Sequence, residues 1–168
     1  MKYALLSICL MLFCLATSQA QQTSSIRIFG EIRAEKTIDR TQIQAFESTS
    51  LQDFAITNHT GEPRGTLTGL RGFPILRILE QLEFNSPSPK QMSEFYFVFE
   101  ASDGYKVVFS WNELFNNPLG NQVYLITSAN GQSLDQMEDG LLIISATDLR
   151  TGRRHVKNLT QIRVMRVN

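Results

Sequence analysis

Two short stretches hold the residue types in this chain that could do chemistry. The first is Thr57-Asn58-His59-Thr60-Gly61-Glu62-Pro63-Arg64, with one of the two histidines. The second is Arg153-Arg154-His155-Val156-Lys157, with the other. His59 could ligate a metal, but such a site needs three or four ligands. The candidates to join it are Glu62, Asp103, Asp139 and His155, and no spacing forces them together. The other reading is a solvated loop histidine. Arg64 could hold an anion, because its guanidinium donates two parallel hydrogen bonds to a carboxylate or oxyanion. It could equally be a surface residue of a glycine loop. In an extended strand, Arg153, His155 and Lys157 would share one face and offer it to an anion. The same charges would also protect a solvated edge strand. No Ser-His-Asp arrangement stands out.

The totals narrow the choice. The chain has 168 residues and a formal net charge of zero, which suits one domain with its own core. Balanced charge speaks against nucleic acid as a partner. Arg150, Arg153, Arg154 and Lys157 form only one short basic cluster. Residues 1–20 read as a secretory signal: Lys2, then an apolar run from Tyr3 to Ala16, then Ser18-Gln19-Ala20. The run is short for a membrane span, so no stable span is expected once the signal is removed. Both cysteines, Cys9 and Cys14, fall inside it. From residue 21 onward there is no disulfide, thiolate ligand or thiol nucleophile. The expected location is secreted or periplasmic, reached by the general export route, with residues 21–168 as a single domain.

Coarse patterning places the two stretches. Ser25 to Ile32 alternates as a strand. Thr41 to Ser48 reads as a short helix capped by Thr41. Asp53 to Thr57 is a short buried strand, and 58–72 a glycine-rich loop. Ile75, Ile78, Leu79 and Leu82 form an apolar helix stripe behind Pro74. Residues 94–101 and 105–110 are strands joined at Asp103-Gly104. Ser110 and Glu113 form a capping box for a helix over Trp111 to Phe115. Strands follow at 122–128 and 140–146, then at Arg154 to Val156 and Gln161 to Val167, with a turn at Asn130-Gly131. Tyr105 and Trp111, beside the Asp103-Gly104 turn, read as core aromatics.

The order of these pieces carries a resemblance. Gly69-Leu70-Arg71-Gly72-Phe73-Pro74-Ile75-Leu76, Asp103-Gly104-Tyr105, Asn130-Gly131, Gly140-Leu141-Leu142-Ile143-Ile144 and Arg154-His155-Val156-Lys157-Asn158-Leu159 fall in sequence over residues 25–168. Together they resemble the oxidoreductase molybdopterin-binding domain family. The resemblance implies an α+β, sulfite-oxidase-like fold of mixed curved sheets with short inserted helices. Catalytic members carry Leu-x-Cys-x-Gly-Asn-x-Arg before the first helix, where the cysteine binds molybdenum and the arginine helps hold the anionic substrate. Here Gly61 and Arg64 match, His59 stands at the cysteine position and Glu62 at the asparagine. The basic stretch matches the family segment that touches the cofactor phosphate and the substrate.

The resemblance thus nominates His59, Gly61, Arg64, Arg154, His155 and Lys157 as cofactor- or ligand-contacting positions, with no catalytic residue and no metal ligand assigned. A soft thiolate suits a high-valent molybdenum centre; a neutral imidazole suits it poorly. Pterin cofactors of this family are inserted before folded export, which an unfolded passage forbids. The leading expectation is a module without redox catalysis or bound cofactor that takes an anionic small molecule or an envelope protein partner. The alternatives are a molybdopterin-binding oxidoreductase component and a structural envelope interaction protein.

Overall fold

A computed structural model describes residues 23–86 and 88–167. The secretory segment read from residues 1–20 lies outside the described residues. The first sheet contains β1 (Ser25–Gly30), β2 (Lys36–Asp39), β7 (Phe95–Ala101), β8 (Lys106–Ser110) and β12 (Leu159–Arg166), in the order β2-β1-β12-β7-β8. Its only parallel pair is β1 with β12. The second sheet contains β3 (Thr49–Ser50), β6 (Arg71–Pro74), β9 (Val123–Ala129), β10 (Gln132–Ser133) and β11 (Leu142–Ser145). A separate hairpin pairs β4 (Phe54–Thr57) with β5 (Pro63–Leu67).

Alternation along the strands explains the stacking. In β7 the burial pattern alternates strictly: Phe95, Phe97, Phe99 and Ala101 are buried, and the residues between are not. One face of the first sheet therefore meets the core and the other meets solvent. Strand β11 is buried at all four positions. Its Ile143 joins the cluster under the first sheet, with Phe73 and Leu125. Leu142 and Ile144 join a second cluster with Phe54, Leu67, Leu70 and Ile126. The second sheet is thus covered on both faces, by the first sheet and by the β4–β5 hairpin. The hairpin is a third layer, held by Phe54 and Leu67 at its base.

Three short helices sit between the strands: α1 (Arg40–Gln44), α2 (Leu76–Leu79) and α3 (Trp111–Phe115). The Ser110–Glu113 capping box opens α3 as the sequence predicts. Helix α1 is capped two residues earlier than expected, by Asp39 with Gln42, because the Asp39 carboxylate accepts from the free Gln42 N–H. The stripe Ile75, Ile78, Leu79 and Leu82 is buried as expected, although the helix itself spans four residues. Strand β2 and the 3-10 turns at Pro89–Glu94 and Pro118–Gln122 have no counterpart in the sequence reading. Among the described residues, no helix is long and apolar enough to cross a membrane.

Two expectations are corrected. Residues 58–72 are not one loop: Pro63–Leu67 and Arg71–Pro74 are strands. Their glycines hid the pairing, since Gly has low strand propensity but does not prevent a ladder. The stretch Arg154 to Val156 is not a strand. Thr151–Arg154 is a 3-10 turn, and Val156 makes a single bridge to Ile143. The turn is set by Gly152, where a Cβ would lie 2.3 Å from the Thr57 carbonyl oxygen. The shared face predicted for Arg153, His155 and Lys157 therefore does not exist as a strand face.

Candidate functional site

The two stretches singled out by residue type meet at one corner. The β4–β5 hairpin lies against the basic turn, and reciprocal threonine bonds fasten them. Thr57 N–H donates to Thr151 Oγ1 at 2.9 Å, and Thr151 N–H donates to Thr57 Oγ1 at 3.1 Å. The Thr151 hydroxyl donates to the Ala55 carbonyl at 2.7 Å. Phe54 stands 6.5 Å, centroid to centroid, from the His155 ring.

The hairpin tip is organised by Asn58. Its Oδ1 accepts from Thr60 N–H, the Thr60 hydroxyl and Glu62 N–H at 3.0, 2.7 and 2.9 Å. Its Nδ2 donates to Glu62 Oε2 at 2.7 Å, and its backbone N–H donates to the Glu62 carbonyl at 2.9 Å. A short polar side chain folding back on the backbone is typical turn chemistry. His59 projects from this tip and is exposed. Gly61 adopts φ +94°, a conformation that favours glycine, and a Cβ there would lie 2.8 Å from the Arg150 guanidinium carbon. Arg150 thus lies directly over Gly61. Arg64 is exposed and reaches only Glu62, at 4.0 Å.

The arginines of the basic turn differ sharply. Arg154 is turned inward. Its Nε donates to Asp148 Oδ2 at 2.7 Å, and its Nη2 to Asp148 Oδ1 at 2.5 Å. Its Nη1 donates to Glu113 Oε1 at 3.0 Å, and the guanidinium lies 4.4 Å from the Phe109 ring centre. The bond to Asp148 raises the Arg154 pKa above its ordinary value against the opposing effect of burial. For Glu113, burial opposes ionisation, yet hydrogen bonds from Ser110 and Arg154 hold its carboxyl below the usual range. Asp148 also accepts from the Ser145 hydroxyl at 2.7 Å. Arg150 and Arg153, by contrast, have no carboxylate partner among the described residues.

His155 and Lys157 line a shallow pocket of about 240 Å³ with Ala101, Asp103 and Tyr105. Tyr105 is partly exposed rather than core, and its hydroxyl donates to the Arg153 carbonyl at 2.6 Å. Lys157 pairs with Asp139 at 2.9 Å. His155 Nε2 is buried without a hydrogen-bond partner in the structure. Burial first, and the Lys157 charge second, push the His155 pKa down to about 4, against the pull of Asp139. The imidazole is therefore neutral at neutral pH and contributes no positive charge to the corner.

Of the six positions nominated from sequence, Gly61 lies under Arg150 at the hairpin tip, Arg154 turns inward to Asp148 and Glu113, His155 and Lys157 line the shallow pocket, and the His59 and Arg64 side chains are exposed. Arg150 was visible in the basic cluster but not as the group that covers Gly61. No sequence spacing links residues 61 and 150; only the threonine clasp does.

The residues present do not suit a molybdopterin with a thiolate-bound metal. The position that the resemblance matches to the thiolate, His59, is an exposed imidazole at a hairpin tip. Among the described residues, no group of three or more His, Cys, Asp or Glu side chains could hold a metal ion. The arginine matched to phosphate contact is already occupied by two carboxylates. The pocket beside it is smaller than the roughly 300–1,000 Å³ usual for cofactor sites.

No family model matches the sequence, and no curated protein does. Among solved structures, the chain is similar to the sulfane dehydrogenase SoxCD from Paracoccus pantotrophus, with a TM-score of 0.63 and 12% identity. The match covers 85% of this chain and 38% of that one. At this identity the likeness is one of architecture, and it agrees with the element order above: the chain has a compact α+β fold of the sulfite-oxidase-like type, with mixed sheets and short inserted helices.

Proposed function

We propose that this chain is an exported binding module without redox catalysis, which takes a small anion at the corner between the hairpin tip and the basic turn. The observation that supports it is the unequal pairing of the arginines. Arg154 has its charge cancelled by Asp148 and Glu113, whereas Arg150 and Arg153 have no carboxylate partner among the described residues. Arg150 rests on Gly61, where the missing side chain lets the guanidinium lie close to the backbone. Arginine forks so placed suit a carboxylate or oxyanion. The rival reading, a molybdopterin-binding component, lacks a suitable donor set at His59.

The test uses residues 21–168 at low ionic strength, titrated calorimetrically with sodium sulfate, sodium phosphate and sodium acetate. At least one anion is expected to bind, and Arg150→Gln with Arg153→Gln is expected to weaken it about tenfold or more. Equal binding by the double variant would remove the proposal. So would molybdenum and pterin at near one per chain in protein purified from its native compartment.

A further inference from the structure

A second pocket lies beside Phe54 and Tyr124. Its volume is about 360 Å³, within the range of small-molecule sites. Leu51, Phe54 and Ile144 supply its apolar part. These residues belong to the cluster beneath the hairpin, so its floor is the base of the third layer. Tyr124 supplies an aromatic wall, and its hydroxyl reaches Gln122 Oε1 at 3.3 Å. Asp53, at the start of β4, supplies a carboxylate with no ion pair among the described residues. No Lys, Arg or His lines this pocket. Arg71 approaches it from outside the lining and is held by Ser50 Oγ at 3.1 Å and the Ser48 carbonyl at 2.7 Å.

We infer that this pocket binds a small organic cation: one ammonium group, directed to Asp53, on an aliphatic or aromatic body that packs on Phe54, Tyr124 and Ile144. The charge pattern sets the sign. The single ionised side chain in the lining is negative, and the Tyr124 face adds attraction for a cation through its ring quadrupole. The apolar floor sets the body. A bare inorganic cation would leave Leu51 and Ile144 without a partner, and a neutral apolar ligand would leave the carboxylate unused. This site has the opposite charge preference to the anion corner, and Gly61, Arg150 and Arg153 are not among its lining residues.

The test uses residues 21–168 with benzylammonium chloride as probe, and benzyl alcohol and sodium phenylacetate as neutral and anionic counterparts of similar shape. Binding is followed by protein chemical-shift changes at Asp53, Tyr124 and Ile144. Benzylammonium is expected to bind at least tenfold more tightly than either counterpart. Asp53→Asn, an exposed change that keeps shape, is expected to lose about tenfold for benzylammonium and nothing for benzyl alcohol. The anion titrations above are expected to be unaffected by Asp53→Asn, which separates this inference from the first proposal. No benzylammonium binding to the unaltered protein, equal binding of the three probes, or an undiminished affinity in Asp53→Asn would each overturn it.

Discussion

The hairpin tip and the basic turn are neighbours built on opposite plans. At the tip, Asn58 bonds among the described residues to Thr60, Gly61 and Glu62, and the side chains of His59 and Arg64 face water. In the basic turn, Arg154 reaches inward to Asp148, Glu113 and the Phe109 face, and His155 packs beside Phe54. Both segments look alike by residue type: polar, charged, with one histidine each. The difference teaches that a polar cluster near a core can serve as structure, while other charges of the same stretch are left without a carboxylate partner among the described residues. Here those are Arg150 and Arg153, at the seam between the two.

The largest expected effect comes from removing Arg154. Asp148 keeps only 11% side-chain exposure and would lose both of its guanidinium bonds, while Glu113 would lose its bond from Arg154 and keep those from Ser110. Truncating one member of a buried pair costs about 3–5 kcal/mol, and partial exposure of this cluster reduces that to about 2–4 kcal/mol. Arg154→Ala should therefore shift the urea unfolding midpoint strongly. Arg153→Ala, next in the chain and exposed, should stay within about 0.5 kcal/mol. Similar losses from the two would erase the distinction between a structural and a free arginine.

Next in size is a pH effect confined to the turn. The His155 pKa falls from 6.5 to about 4 on folding. Between these values the unfolded chain holds the proton and the folded chain does not. Stability is therefore highest above pH 6.5, declines as pH falls towards 4, and has lost the full contribution below that. The span corresponds to at most about 3 kcal/mol. Urea titrations at pH 7.5, 6.5, 5 and 4 on the unaltered protein and on His155→Leu should show this window flatten in the variant. Glu113, whose pKa is lowered, contributes stability that is present above the ordinary carboxylate range and disappears at still lower pH, so the two effects separate on the pH axis. An equal slope in both proteins between pH 6.5 and 4 would mean that His155 is solvated and the turn is no more enclosed than the tip.

What could be read in advance follows the same division. The strands β1, β7, β8, β9, β11 and β12 announce themselves by alternation or by continuous apolar runs, and Ser110 with Glu113 fixes the start of α3. Strand β5 could not be read, because Pro63, Arg64 and Gly65 show no apolar alternation; only Leu67 is buried there. Its pairing comes from the partner strand and from Phe54 anchoring the layer. Arg154 to Val156 reads as a strand because alternating charge mimics a period of two, whereas the backbone there leaves a 3-10 turn over Thr151–Arg154 set by the contact of Gly152 with Thr57. The role of Arg154 was not legible either. Asp148 and Glu113 lie six and forty-one residues away, and nothing in the local sequence distinguishes residue 154 from residue 153.

The smallest expected effect belongs to the residue that the motif resemblance makes most conspicuous. The resemblance would set His59 at a metal-binding cysteine position, yet the tip does not depend on its side chain. The hydrogen bonds that shape residues 58–62 come from Asn58, Thr60, Gly61 and Glu62. The imidazole has no partner among the described residues and is exposed. His59→Ala should change unfolding free energy by less than about 0.5 kcal/mol, as surface substitutions do. Asn58→Ala should cost about 1–2 kcal/mol by removing the acceptor that serves three donors. Measured together, the two variants locate the order of the tip in Asn58. If His59→Ala proved the costlier, or if it alone abolished anion binding, the imidazole would be a working group and the tip, rather than the arginine seam, would be the centre of the site.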